Sequence, residues 1–305
     1  MRSLRIPIAI QRISRRPQDP VAAAYWQHRQ AALTSFLRRD NGDHNHNHCG
    51  IGPYDRSLLD SVSSDQQAQL LAEMHRMESA QSERLLSLLR AVDPLHHLLD
   101  AGCGRGGTSL AAAARFDCFV DGVDLASSQV EHANRLATER GYAHRIKFHQ
   151  RNLCDTGFAA GHFDSVIANE VTMYVDLADA LREFHRVLRP GGQLVLFTWC
   201  CRDASAASRL PALVIDALHV CRTHSRPEYF QALAEHSFSV QRVDDLSLDV
   251  GAYFDLRRHI HGFGSEDSAD EAFRAGLQSG ALMYLAVVAR TIPTGLPSDS
   301  QTPAT

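Results

Sequence analysis

Acidic side chains stand at the ends of several short apolar runs in this chain. A carboxylate at such a position can receive a cation, a sugar hydroxyl or a proton. In LLDAGCGRGGTSL (98–110), Asp100 precedes Gly102, Gly104 and Gly106, whose missing Cβ atoms let the backbone approach a ligand closely. Asp100 suits a cationic amino-acid head group and would repel a pyrophosphate. Asp124 ends DGVDL (121–125), placed to accept both hydroxyls of a ribose, and Asn152 beside Leu153 in RNLCD (151–155) suits the edge and face of an adenine. In SVIANEVTMYVD (165–176) an apolar run stops abruptly at Asn169 and Glu170, and Asp176 opens a helix. Two alternatives stay open on these residues alone. Gly102, Gly104 and Gly107 also satisfy the GxGxxG of a plain dinucleotide dehydrogenase. Glu170 is either a chemical group or a cap on the turn that follows it.

Positioning these residues requires strands that end where the chemistry begins. Segments 96–102, 118–125, 145–152, 163–170 and 193–200 are β-rich, and helical stretches at 108–116, 127–140 and 178–188 separate them. The last helix runs into RPGG, a stop signal. This alternation predicts parallel βαβ units, with ligands bound beyond the carboxyl ends of the strands. Residues 238–246 and 283–290 read as two further strands, and the long segment 247–281 between them predicts a lid or substrate cap. Upstream, residues 64–89 form a long amphipathic helix, and 21–39 are helical in pattern.

The whole chain has 305 residues, a net charge of −4 and 44% hydrophobic residues, which gives no overall basic field for nucleic acid. No apolar run approaches the length of a membrane span. Seven cysteines without CxxC spacing predict reduced thiols in a cytoplasm. Residues 1–20, with five arginines, predict a disordered basic arm that could serve a subunit contact in a homo-oligomer, and 291–305 predict a disordered tail. Between them, 21–90 is expected to be a helical segment covering substrate, and 91–290 the ligand-binding domain with its cap.

The order of acid, glycine loop, ribose acid and adenine-side polar residue resembles the class I S-adenosylmethionine-dependent methyltransferases. That resemblance implies a Rossmann-like α/β fold, a seven-stranded sheet whose last strand is antiparallel. It implies a cofactor site built from Asp100, Gly102, Gly104, Gly106, Asp124, Gln129, Asn152, Leu153 and Asn169. In this family the methyl group projects above the end of the fourth strand, beside Glu170. Oxygen or nitrogen methylation needs at most a base before or during transfer. Alkene methylation leaves a tertiary carbocation that must lose a proton, which calls for a carboxylate near the methyl donor and aromatic faces around it.

Further segments, HNHNHCGIGPYD (44–55), MHRMESAQ (74–81), NEVTMYVDL (169–177), THSRPEYFQAL (223–233) and GAYFDLR (251–257), together resemble the bacterial prenyl-diphosphate C-methyltransferases across residues 25–290. The resemblance implies C-methylation of a short prenyl diphosphate, geranyl diphosphate foremost, within terpenoid secondary metabolism. It implies a diphosphate held by Mg²⁺ and an aromatic pocket around the prenyl chain. By position in NEVTMYVD, Glu170 takes the role of final base, with Tyr174 and Tyr54 beside the reaction. Attack at C6 in place of C2, a farnesyl or isopentenyl substrate, a small-molecule O-methyltransferase and a non-catalytic cofactor-binding subunit are the alternatives.

Several residues carry two readings. Gln81 lies over the cofactor or is a solvated helix residue. His44, His46 and His48 are a solvated loop or, with less usual spacing, a zinc site. The resemblance turns His48 toward substrate, and it puts an aromatic residue where Cys49 stands. Ser225 and Glu228 form a capping box, while His224, Arg226 and Tyr229 at the same helix start could hold an anion or substrate. Tyr253 and Arg257 lie over the pocket or pack on the surface. Phe197 reads as core, and Trp199 as pocket or core. No cluster names the metal's protein ligands.

Overall fold

The structure, a computed structural model, describes residues 46–60, 65–260 and 269–292. The expected arm at 1–20, the helical stretch at 21–39, His44 and the tail beyond 292 lie outside the described residues.

A central sheet has the strand order β3-β2-β1-β4-β5-β7-β6. Its strands are β1 (His97–Ala101), β2 (Phe119–Asp124), β3 (Ile146–Gln150), β4 (Phe163–Asn169), β5 (Leu188–Cys201), β6 (Phe238–Asp245) and β7 (Leu282–Thr291). The first five run parallel, whereas β7 is antiparallel to both β5 and β6. This is the expected seven-stranded class I methyltransferase arrangement. The order of the parallel strands reverses between β1 and β4, whose ends are in register at Ala101 and Ala168. A crevice opens where two such connections leave in opposite directions. The glycine loop follows one strand there, and Glu170 follows the other.

Helices α1 (Gln66–Leu86), α2 (Gly107–Phe116), α3 (Ser127–Glu139) and α4 (Leu177–Val187) match the periodic stretches of the sequence. Asp176 caps α4, its Oδ1 accepting from the backbone N–H groups of Ala178 and Asp179. The buried stripe of α1 includes Leu70, Met74 and Met77, then departs from apolar chemistry at Glu78, Gln81 and Ser82. Three buried polar residues on one helix face need partners, and those partners lie at the site.

The cap differs from the expectation of one insertion between β6 and β7. That connection does hold α8 (Ser247–Arg257) and α9 (Ala269–Gln278), but the β5–β6 connection contributes α5 (Ala204–Ala207) and α6 (Leu210–His219) before α7 (Arg226–Glu235). Helix α9 packs against α6 as well as α8, so the layer is assembled from two connections. The RPGG stop signal is also relocated. Helix α4 ends at Val187 and β5 starts at once, Leu188 pairing with Phe163 across an irregular register, with Gly191 at φ +74°.

Side chains alternate across β5 and β7 as the pleat requires. Phe197, Trp199 and Tyr284 enter the apolar layer beneath α1, α8 and α9. Leu194, Leu196, Leu285 and Val287 enter the opposite layer, with α4 and α7. All seven cysteines are free thiols. No described helix is long and apolar enough to cross a membrane.

Candidate active site

The loop after β1 is built on glycine because nothing larger fits. Gly102 has φ +79°, and a Cβ there would fall 2.4 Å from Cγ2 of Val171, the residue after Glu170. Gly104, at φ +51°, lies against Asn47, whose Nδ2 also reaches Oε1 of Gln129 at 3.4 Å. Gly106, at φ +84°, is the N-cap of α2. Asp124 fixes the loop by accepting from the Gly104 N–H at 3.0 Å and the Ala126 N–H at 2.9 Å. Asp100 is buried and accepts one hydrogen bond, from Ser109 Oγ at 2.6 Å. Burial, then the nearby charge of Asp124, push its pKa up to about 6 against the opposing effect of Ser109. A buried carboxylate without a cation beside it, at the lip of a glycine loop, is prepared for a positively charged ligand group.

At the end of β4 the backbone turns sharply. Glu170 has φ +52°, a left-handed conformation that is costly for a side-chain-bearing residue, and its N–H donates to the Phe197 carbonyl at 2.8 Å. Its Oε1 accepts from the Cys49 backbone N–H at 2.9 Å and from the Tyr284 hydroxyl at 2.7 Å. Burial raises the pKa of this carboxyl, while Tyr284, Cys49 and the Trp199 indole act in the other direction. Asn169 and Gln81 exchange side-chain hydrogen bonds at 2.7 and 2.9 Å, and Gln81 Nε2 also donates to the Tyr284 oxygen at 2.6 Å. An aromatic layer stands beside the acid. The Trp199 ring centroid is 4.7 Å from that of Tyr284, 4.5 Å from Phe273 and 5.8 Å from Phe254.

Residues 46–52 strap over this region. The Ile51 N–H donates to the Met77 carbonyl and the Gly52 N–H to the Asp249 carbonyl, tying the strap to α1 and α8. His48 faces this anchorage. Its Nδ1 reaches the Cys49 carbonyl at 2.9 Å and must therefore be the protonated nitrogen, leaving Nε2 to accept from His46 or Ser82, each 3.0 Å away. Burial lowers the His48 pKa to about 4 and, with the neighbouring histidine, that of His46 to about 3. Both rings are held neutral at pH 7. Among the described residues no group of three or more His, Cys, Asp or Glu is arranged to hold a metal.

Tyr253 and Arg257 belong to a buried polar chain under the strap. The Tyr253 hydroxyl donates to Glu78 Oε1 at 2.6 Å, Arg257 Nη1 lies 3.2 Å from that hydroxyl, and Arg257 Nε donates to Asp270 at 2.9 Å. Tyr54 and Tyr174 are half-buried against the same apolar layer, and the Tyr174 hydroxyl is 3.5 Å from His219 Nδ1.

The HSRPEY residues are not brought together with Glu170. The Tyr229 hydroxyl bonds to Thr172 and Thr198 at 2.8 and 2.7 Å, in the layer on the opposite face of the sheet from Trp199 and Tyr284. His224 is buried with its ring edge against Tyr229, and Arg226 is exposed with its guanidinium over Phe230. The start of α7 is closed by its own capping box, since Glu228 Oε2 takes the Ser225 N–H at 2.6 Å. A carboxylate already occupies the place an anion would need. Asn152 also departs from the strand-end expectation: β3 stops at Gln150, and Asn152 Oδ1 accepts from the Cys154 N–H within the following loop. Leu153 is buried on the α4 side.

Sequence reasoning missed Tyr284, Ser109, Asn47 and Glu78. Tyr284 had a signal, since a tyrosine in an otherwise apolar buried strand needs a partner for its hydroxyl. Glu78 had one too, an acid on the apolar stripe of α1.

Residues 99–196 match a family model described as a methyltransferase domain. The chain is 37% identical over 268 residues to a protein named geranyl diphosphate 2-C-methyltransferase from Saccharopolyspora erythraea, covering 88% of this chain and 92% of that one. It is 36% identical over 274 residues to a protein of the same name from Streptomyces lasalocidi, covering 90% of each. Its fold matches the crystal structure of geranyl diphosphate C-methyltransferase from Streptomyces coelicolor A3(2) in complex with Mg²⁺, geranyl diphosphate and S-adenosyl-L-homocysteine. The TM-score is 0.81 at 33% identity, over 90% of this chain and 99% of that one.

Proposed function

The chain belongs to the geranyl diphosphate 2-C-methyltransferase family, and on that premise we propose that it methylates C2 of geranyl diphosphate with Glu170 as the base that completes the reaction. The observation carrying this reading is the placement of Glu170. It is a carboxylate in a left-handed turn at the strand switch, loaded by two donors on one oxygen and flanked by aromatic rings.

The glycine loop, Asp100 and Asp124 fit S-adenosylmethionine. Asp100 offers a buried charge to the amino-acid head group, and Asp124 keeps the loop open while retaining lone pairs for ribose hydroxyls. Bound there, S-adenosylmethionine supplies the methyl group: the C2–C3 π electrons form the new C–C bond at C2, and the S–CH₃ electrons leave with sulfur. The substrate is then a cation at tertiary C3. Trp199 and Tyr284 face that charge with electron-rich rings, each worth about 0.5–2 kcal/mol to a nearby cation. Glu170 takes the C2 proton, and the C–H electrons restore the C2–C3 double bond. The diphosphate survives the reaction.

The absence of a three-ligand metal cluster among the described residues is compatible with magnesium, which keeps several waters and takes substrate phosphate oxygens with one or two protein ligands. The strap at 46–52, together with α6, α8 and α9, is the substrate cover.

The test is incubation with S-adenosylmethionine, Mg²⁺ and geranyl diphosphate, followed by dephosphorylation and NMR. The expected product is geraniol methylated at C2. A methyl group at C6 would mean that the chain enters the site reversed, and no methylated product would overturn the substrate assignment.

A further inference from the structure

The hydroxyl of Tyr284 has one proton to give, and its neighbours determine where that proton goes. In the observed orientation Gln81 and Asn169 exchange hydrogen bonds, Nε2 to Oδ1 at 2.7 Å and Nδ2 to Oε1 at 2.9 Å, a pairing that ties each amide to the other. In that orientation the group facing Tyr284 is the second N–H of Gln81, 2.6 Å from the phenol oxygen. An ionised Glu170 can only accept, so it takes the tyrosine proton at Oε1, 2.7 Å away, and the phenol oxygen accepts from Gln81. The Cys49 backbone N–H points to the same oxygen. Both donors meet at Oε1, and the Cys49 side chain and the Trp199 indole also act on the carboxylate.

We infer that Tyr284 is a positioning residue for the methyl-transfer chemistry: it donates to Glu170 and favours its carboxylate form, and Gln81, paired with Asn169, donates to the phenol oxygen from the other side. This rests on Glu170 being the base. Burial leaves the Glu170 pKa raised, and the Tyr284 hydrogen bond, which is stronger to the ionised form, opposes that effect in part. The other groups facing the carboxylate are Cys49 from the strap and the Trp199 indole from β5, with Arg257 and Asp270 acting on the Cys49 thiol one step further out. None of them offers a second hydroxyl. The chain also links the cofactor side, at Asn169, to the base, so the group that lines the methyl donor and the group that takes the proton are aligned through one rigid network. A tyrosine that only filled space between β7 and Trp199 would need no hydroxyl.

The test is Tyr284→Phe, which keeps the ring. With native thermal unfolding, it is expected to lower kcat about 10-fold near pH 7 and move the acid limb of the kcat–pH profile upward by about one unit. KM for both substrates should stay within about 3-fold, as expected when ground-state binding is retained. Gln81→Met removes the donor to the phenol oxygen together with both bonds to Asn169 while leaving the Tyr284 hydroxyl on Glu170, so it should move the acid limb in the same direction by less, and it carries the test if the Phe variant does not fold. An acid limb unchanged in a folded Phe variant, or in the Met variant if only that folds, overturns the proposal. Glu170→Gln is assayed alongside: wild-type turnover there would instead overturn the base assignment on which the proposal stands.

Discussion

Gly102 and Val171 come so close that a Cβ on the glycine would lie 2.4 Å from the valine Cγ2. The loops after β1 and β4 therefore form one packed unit, with the cofactor's glycine turn on one side and the residue after Glu170 on the other.

Gly102→Ala is expected to disturb both halves together. The glycine sits at φ +79°, where a side chain is strained, and relief requires Val171 to move. The strain and displacement should cost about 1–3 kcal/mol of stability, and misplacing Glu170, the proposed base, should lower kcat by about 100-fold. Thermal unfolding and steady-state kinetics check this; a variant with native kcat would show that the two loops move independently.

Asp100 gives a pH prediction with a definite sign. Its folded pKa, about 6, lies above the ordinary carboxylate value, so the folded form binds more protons through the window between them. The ligand-free protein should lose stability from this group as pH rises through about 4 to 6, by roughly 2–3 kcal/mol in all. Asp100→Asn should remove that component of the slope while weakening S-adenosylmethionine binding by about 10-fold or more, as loss of a charged hydrogen-bonding partner does. Denaturant unfolding at pH 4.5 and 7 for both proteins measures it. An identical pH dependence in the two would contradict the assignment.

Tyr229 and Arg226 should behave as structural residues. Tyr229→Phe leaves Thr172 and Thr198 bonded to each other at 3.1 Å, and the loss should be about 1 kcal/mol of stability. Arg226→Ala should be close to neutral. Neither should change KM for geranyl diphosphate by more than about 2-fold, the effect expected of residues outside the binding site. A large rise in KM in either variant would restore them to the substrate site.

Tyr253→Phe should be costly in a different way. Glu78 is buried and would lose the 2.6 Å hydroxyl donor, a loss of about 1–3 kcal/mol. The melting temperature should fall, and the difference from wild type should widen at higher pH, where Glu78 must be held charged. A melting temperature equal to wild type would show that His75 and Arg257 suffice for this acid.

Much of this was legible in the residues themselves, for physical reasons. Period-2 and period-3.6 patterns located the strands and helices because each buries one face, and the acid-ended runs located the site because charge interrupts a buried strand only at its tip. Glu170, Asp100, Asp124 and Asn169 were read from that interruption, whereas Gln81 came only from the resemblance of its helix. Tyr284 was not read, because its partner Glu170 is 114 positions away and only antiparallel pairing of β7 with β5 brings the two side chains together. HSRPEY stayed open because a capping box and an anion site share the same residue types. Only the placement of Glu228 distinguishes them. The second insertion, around α6, escaped notice because its apolar face is completed by α9 from a distant connection.

The most direct measurement uses geranyl diphosphate deuterated at C2 with the wild type and Glu170→Gln. The account predicts a C2-methylated product without deuterium from the wild type. The variant should still bind S-adenosylmethionine but turn over about 10²–10⁴-fold more slowly, the usual cost of losing a positioned base. Wild-type turnover by Glu170→Gln, or deuterium retained at C2 in a methylated product, would contradict it.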